Sequence, residues 1–149
     1  MIKNLSFKTH FGWINIIEIN KKIISVKFEK KINQGKSKYL INVKNQIIDY
    51  TNGKLKKFNL NISIKGSDLQ KKIWKELKKI PYGKTKTYGD IAKIINTSPR
   101  YVGNVCGQNN HLLIIPCHRV VRSDGSLGGF SGLGGIQLKD KLIKMEKNA

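Results

Sequence analysis

Cysteine is scarce in this chain: only Cys106 and Cys117 occur in 149 residues. Two thiols exclude a disulfide-stapled scaffold, and this length supports a core without staples. Arginine is almost as rare, with Arg100, Arg119 and Arg122 the only ones among 29 basic residues. Acidic residues number 9, which leaves a formal net charge of +20. No apolar run approaches the ~20 residues that span a bilayer. The opening MIKNLSFKTH lacks the basic-then-apolar plan of a secretory signal, so a reducing, cytoplasmic location is expected. The excess of positive charge points to a polyanionic partner, nucleic acid first. It does not single out one half: residues 1–66 carry 14 Lys against 3 acids, and residues 67–149 carry 15 Lys and Arg against 6. A chain rich in Lys, Ile and Asn also follows from AT-rich coding, so charge alone does not identify the partner.

What is present divides at Gly66. Residues 1–66 read as strand-rich. GWINIIEIN (12–20) and KKIISVKFEK (21–30) are β-branched runs joined near Asn20-Lys21-Lys22, which predicts a hairpin. KFNLNISIKG (57–66) alternates Phe58, Leu60, Ile62 and Ile64 at period two, which predicts a half-buried strand. The segment 39–53 predicts a short helix ending at Gly53, and His10 reads as a surface residue.

After Gly66 the period becomes helical. Ser67 caps a helix whose face is Leu69, Ile73, Trp74, Leu77 and Ile80, with Trp74 in the core. PYGKTKT is a turn, after which Thr87 and Asp90 form something close to a capping box for YGDIAKII. Ser98-Pro99 starts the next helix. That helix buries Val102, Val105 and Cys106 and turns Arg100, Asn104, Gly107 and Gln108 outward. Two short helices joined by a tight turn fit a helix-turn-helix, and equally any helical hairpin. The Gly-rich stretch 123–135 resembles the wing of a winged helix. Ile136, Leu138, Leu142, Ile143 and Met145 mark a closing amphipathic helix.

IIPCHRVV, residues 114–121, carries the chemistry. Cys106, His111, Cys117 and His118 do not have the spacing of a zinc knuckle, so no metal is expected. Cys117 at the end of an apolar, strand-like run is either an inert buried thiol or a nucleophile. His118, Arg119 and a nearby helix start favour thiolate. A Cys-His hydrolase draws its histidine from a distant segment, whereas His118 is the immediate neighbour. A relay through water is easier, with Glu146 available as the carboxylate.

At this point the sequence resembles the O6-alkylguanine-DNA alkyltransferase family, over about residues 67–149. The resemblance rests on PYGKTKTYGDIA, NTSPRYVGN, Asn109, IPCHRVV and GSLGGFSG in that order, followed by a helix ending at Glu146. It implies an α+β protein: a small strand-rich N-terminal domain, 1–66, then a helical winged-helix-like (helix-turn-helix) C-terminal domain, 67–149. It implies that Cys117 accepts the alkyl group, with His118 and Glu146 as the relay that deprotonates it and Asn109 as a brace. Tyr88 would protonate the leaving guanine. The Val120 carbonyl, Phe130 and the Ser131 backbone would line the base pocket. Arg100, Tyr101, Gly103, Asn104 and Ser123 would contact DNA, with Arg100 filling the gap left by a flipped nucleotide. The implied partner is duplex DNA containing O6-alkylguanine. The protein is expected to act as a monomer, without cofactor, and to be consumed by one transfer. A non-enzymatic sensor of alkylated DNA on the same fold is the alternative, and it lacks the acceptor cysteine. Here Asn110 replaces a common proline, Phe130 replaces a common tyrosine, and residues 1–66 contain no cysteine for the zinc site of some members. Arg119 is expected in a structural ion pair, with Asp90 its candidate partner.

Overall fold

A computed structural model describes residues 1–128 and 135–148. The fold is α+β. It divides into two compact units, Met1–Ile64 with Asn110–Leu112, and Lys65–Asn109 with Leu113–Ala149.

The first unit is an antiparallel sheet of β1 (Ile2–Thr9), β2 (Gly12–Ile19) and β3 (Lys22–Lys27) with helix α1 (Lys38–Thr51). The β2–β3 hairpin turns on Asn20 and Lys21, both at positive φ, as a two-residue turn matched to strand twist requires. Ile14, Ile16, Ile23, Val26, Val43 and Ile47 fill the core. β1 carries no apolar alternation because two of its inward residues are polar. Asn4 Nδ2 and Ser6 Oγ both donate to the buried Asn15 Oδ1, at 3.0 and 2.8 Å.

The expected strand over 57–66 is reduced to one bridge, Ile62 to Ile23. Side chains of α1 take over the neighbouring backbone groups: Gln46 bonds Asn59, and Tyr39 Oη bonds both Asn61 N and Asn61 O. α1 ends at Thr51, two residues before Gly53. Asn110–Leu112 joins the first unit, against the expectation that everything after Gly66 belongs to the second. Val26 N donates to Asn110 O and Leu112 N to Val26 O, so the segment extends the sheet beyond β3. His111, a candidate ligand by sequence, is consumed there with Nε2 3.1 Å from Ile23 O.

The second unit holds α2 (Asp68–Lys78), β4 (Lys86–Thr87), α3 (Tyr88–Ile95), α4 (Pro99–Gly107), a 3₁₀ turn (Cys117–Arg119), β5 (Val120–Val121) and α5 (Gly135–Lys147). Ser67 and Thr87 each close a capping box, with Gln70 and Asp90 respectively. Ser98 caps α4 with Pro99 at its first turn. α3 ends on Asn96 in the left-handed conformation, which turns the chain sharply into α4. Trp74 is buried and its indole N–H donates to Val105 O at 3.3 Å, which ties α2 to α4. β4 and β5 pair in parallel, Lys86 with Val120. The buried face of α5 is Leu138, Lys139, Leu142, Ile143 and Glu146. Ile136, expected on that face, is exposed. No helix among the described residues is long and apolar enough to cross a membrane.

Candidate active site

The run before Cys117 is not a strand. Leu113 adopts positive φ, the chain turns through 113–114, and Cys117 opens the 3₁₀ turn Cys117–Arg119. Cys117 N donates to Ile115 O at 2.8 Å and Arg119 N to Pro116 O at 3.0 Å, so successive side chains leave the turn in different directions. Asn109 braces it: Nδ2 donates to Ile115 O at 2.9 Å and to the Cys117 sulfur at 3.3 Å.

Cys117 is 4% exposed and borders a cleft of about 660 Å³. Tyr88, Arg100, Gly103, Cys106 and Gly128 also line the cleft, as do Arg122 and Ser123. Gly128 is at φ +71, and a Cβ there would stand 2.9 Å from Tyr88 Oη, so only glycine lets the loop pass this close to the phenol.

Behind the thiol lies a buried charge cluster. His118 Nε2 is 2.7 Å from Glu146 Oε2. Arg119 Nε donates to Glu146 Oε1 at 2.8 Å and Nη2 to Oε2 at 3.1 Å, while Nη1 donates to Ile80 O at 2.8 Å. Gly83 N adds a fourth donor to Glu146 at 3.2 Å. Gly83 sits at φ +80 in the turn after α2, and a Cβ there would meet the Glu146 carbonyl oxygen at 3.3 Å. The partner of Arg119 is thus Glu146; Asp90 is fully engaged in capping α3 at the surface.

Burial lowers His118 below the ordinary imidazole value, while the Glu146 contact works against that shift. A neutral ring facing a carboxylate donates from Nε2, which leaves Nδ1 as the basic nitrogen. Burial also pushes the Cys117 thiol up, with the Asn109 bond and the Lys139 charge opposing. The sequence neighbours favour thiolate, whereas burial works toward the neutral thiol. Arg119 turns to Glu146, not to sulfur, so its charge does not offset that burial. A thiol in that form acts as a nucleophile only with a base to take its proton.

The structure brings Cys117, Asn109, His118 and Glu146 together and puts Tyr88, Arg100, Gly103 and Ser123 on the cleft. Tyr101 and Asn104 lie on α4 but not among the described lining residues. Val120 is wholly buried in β5 and is also absent from that lining. Phe130 and Ser131 lie outside the described residues. Sequence reasoning placed neither Arg122 nor Cys106 on the cleft wall, nor Lys139 beside Tyr88. The signal for Lys139 was a lysine one position after Leu138 and three and four before Leu142 and Ile143, inside the apolar stripe of α5.

Fold and site together define a helix-turn-helix unit with the buried Cys117 thiol on the wall of its cleft. The family described as 6-O-methylguanine DNA methyltransferase, DNA binding domain, matches residues 68–148. The methylated-DNA–protein-cysteine methyltransferase of Methanosarcina mazei is 42% identical over 108 residues, 71% of this chain and 67% of that protein. This chain thus matches about two thirds of the length of its Methanosarcina relatives. The namesake of Metallosphaera sedula is 34% identical over 98% of this chain and 94% of its own. The Mycobacterium tuberculosis OGT solved in complex with DNA superposes with a TM-score of 0.85 at 29% identity, over 97% of this chain and 92% of that one. The chain belongs to the methylated-DNA–protein-cysteine methyltransferase family.

Proposed function

We propose that this protein repairs DNA by moving an alkyl group from O6 of guanine in a duplex to the sulfur of Cys117. The observation that carries the reading is the Cys117 thiol on the wall of a 660 Å³ cleft, with the His118–Glu146 pair behind it and Tyr88 and Arg100 on the same cleft. Family membership and the DNA-bound Mycobacterium relative support it.

O6 of guanine is stacked inside the duplex, so the nucleotide has to leave the helix, at ~a few kcal/mol. The cleft volume suits one base. Arg100 stands at the start of α4, where a side chain can occupy the vacated space and offset that cost. Val120, Phe130 and Ser131 complete the base pocket in this reading. Tyr101, Gly103, Asn104 and Ser123 meet the DNA backbone or groove, and surplus lysines hold phosphates without reading sequence.

The step balances as follows. The thiol proton passes to His118 Nδ1 through water, and the imidazolium formed is held by Glu146. Sulfur attacks the alkyl carbon, forming S–C and breaking O6–C. The departing guanine takes a proton from the Tyr88 hydroxyl. The thioether formed has no good leaving group, so each molecule acts once. The test is intact mass after incubation with duplex DNA containing O6-methylguanine. One added methyl on the Cys117 peptide, absent in Cys117→Ser, is expected; folded protein that gains no mass overturns the reading.

A further inference from the structure

Helix α2 carries more positive charge than its packing uses. Lys71, Lys72, Lys75 and Lys78 are all exposed, and at ~100° per residue they share one face of the helix. The opposite face, Ile73, Trp74 and Leu77, is buried. Lys79, just past the helix, is neutralised by Glu76 at 2.7 Å. Asp68 lies one turn before Lys71 and Lys72. Yet no carboxylate among the described residues comes within 4.0 Å of Lys71, Lys72, Lys75 or Lys78. Like charges at this spacing repel along a helix, so the face calls for anions from outside the chain.

This face is also turned away from the cleft. Trp74 donates to Val105 O, so α2 packs against the Val105 side of α4. Val105 stands two residues from both Gly103 and Gly107, ~200° around the helix, and those glycines line the cleft. α2 therefore lies behind α4, and none of its residues is among the described lining. A duplex held at the cleft leaves the lysine face open.

We propose that the lysine face of α2 is a second duplex-binding surface, blind to damage and to sequence, with which one molecule holds a second DNA segment while the cleft holds the first. The DNA-repair reading supplies the partner, and the inference goes beyond it in the number of duplexes held. Lys71 to Lys78 spans seven residues, ~10 Å, and ~10 Å of duplex carries ~6 phosphates. Four ammonium groups along that length fit such a row, and as point charges they bind phosphate without reading bases. A segment held there stays at high local concentration, so the molecule passes between segments without first going free in solution.

The test is capture of two duplexes by one molecule. Beads carrying a short undamaged duplex are loaded with protein, washed, and offered a second, fluorescent duplex. The variants are Lys71→Gln/Lys75→Gln/Lys78→Gln and the matching triple Lys→Arg. Glutamine and arginine match lysine in helix propensity, so α2 is kept. The wild type and the arginine variant are expected to retain the second duplex, and the glutamine variant to lose most of it. With three phosphate contacts gone, the log–log salt slope of that retention should be shallower by ~2.7. A wild type that retains no second duplex, or a glutamine variant that retains as much, overturns the proposal. So does a wild type whose α2 lysines bind phosphatidylserine vesicles or polyglutamate but no second duplex, which would assign the face to a membrane or an acidic protein. Methyl transfer from a short duplex containing O6-methylguanine is expected to run at the wild-type rate in the glutamine variant. Slower transfer means that the lysines serve the duplex in the cleft, and overturns the second surface. A wild type that captures both duplexes but takes no methyl defeats the alkyl-transfer reading and leaves the second surface standing.

Discussion

Glu146→Gln is the most discriminating perturbation of the buried cluster. The carboxylate accepts from His118 Nε2, Arg119 Nε and Nη2, and Gly83 N, at 2.7, 2.8, 3.1 and 3.2 Å. Its side chain is 2% exposed, that of Arg119 9% and that of His118 0%, so water does not screen the group. Glutamine keeps the shape but offers one acceptor oxygen and turns an NH₂ toward groups that are themselves donors. A buried guanidinium is left without a counter-charge, a loss of ~3–5 kcal/mol. Against a typical total of ~5–15 kcal/mol, this is a large share of the stability. At ~2–4 °C per kcal/mol for a chain of this size, the melting temperature falls by ~6–20 °C. Thermal and urea unfolding followed by circular dichroism measure it. Adding Arg119→Met to Glu146→Gln recovers part of the loss, because removing both charges is milder than stranding one. A loss below ~1 kcal/mol would place the cluster with exposed ion pairs and refute the argument.

Two further outcomes follow from the same geometry. Gly103→Ala places a Cβ 3.9 Å from the Tyr88 ring, an ordinary contact, so α4 gains ~0.5–1 kcal/mol while affinity for duplex DNA falls; unchanged affinity by fluorescence anisotropy refutes close approach of this helix to DNA. Burial holds His118 below its ordinary ~6.5, so the unfolded chain takes the proton first. Its contribution is complete above that value and is lost as pH falls through the folded-state value, at no more than ~1.4 kcal/mol per pH unit. Urea midpoints should drop between pH 7.5 and 5 and flatten in His118→Gln; a flat wild-type profile contradicts a neutral, buried imidazole.

The second unit was legible because α2, α3 and α4 each announce themselves twice, by a cap and by an apolar face. Ser67, Thr87 and Ser98 all cap where the sequence places them, and Trp74 is core. The first unit was less legible because polar side chains do the work that patterning assigns to apolar ones. Asn4, Ser6 and Asn15 are buried on one another, so β1 has no hydrophobic period. The segment 57–66 has the period but surrenders its backbone partners to Gln46 and Tyr39. At the site, the sequence motif located the thiol and its neighbour but not its electrostatics. Arg119 lies only two residues from Cys117 in the chain, yet a 3₁₀ turn sends the guanidinium to Glu146, so proximity in sequence misreported the charge felt by sulfur.

Two buried charged side chains share α5. Lys139 and Glu146 are seven residues apart, two helical turns or ~10 Å, and both lie on its buried face. One meets Tyr88, the other His118 and Arg119. In the proposed reaction, one rigid element therefore supports the group that protonates the leaving base and the group that receives the thiol proton. Apolar residues Leu142 and Ile143 lie between the two charges and are buried in the core. By pattern alone Lys139 reads as a break in the apolar stripe of α5, whereas Glu146 is already indicated by the family resemblance.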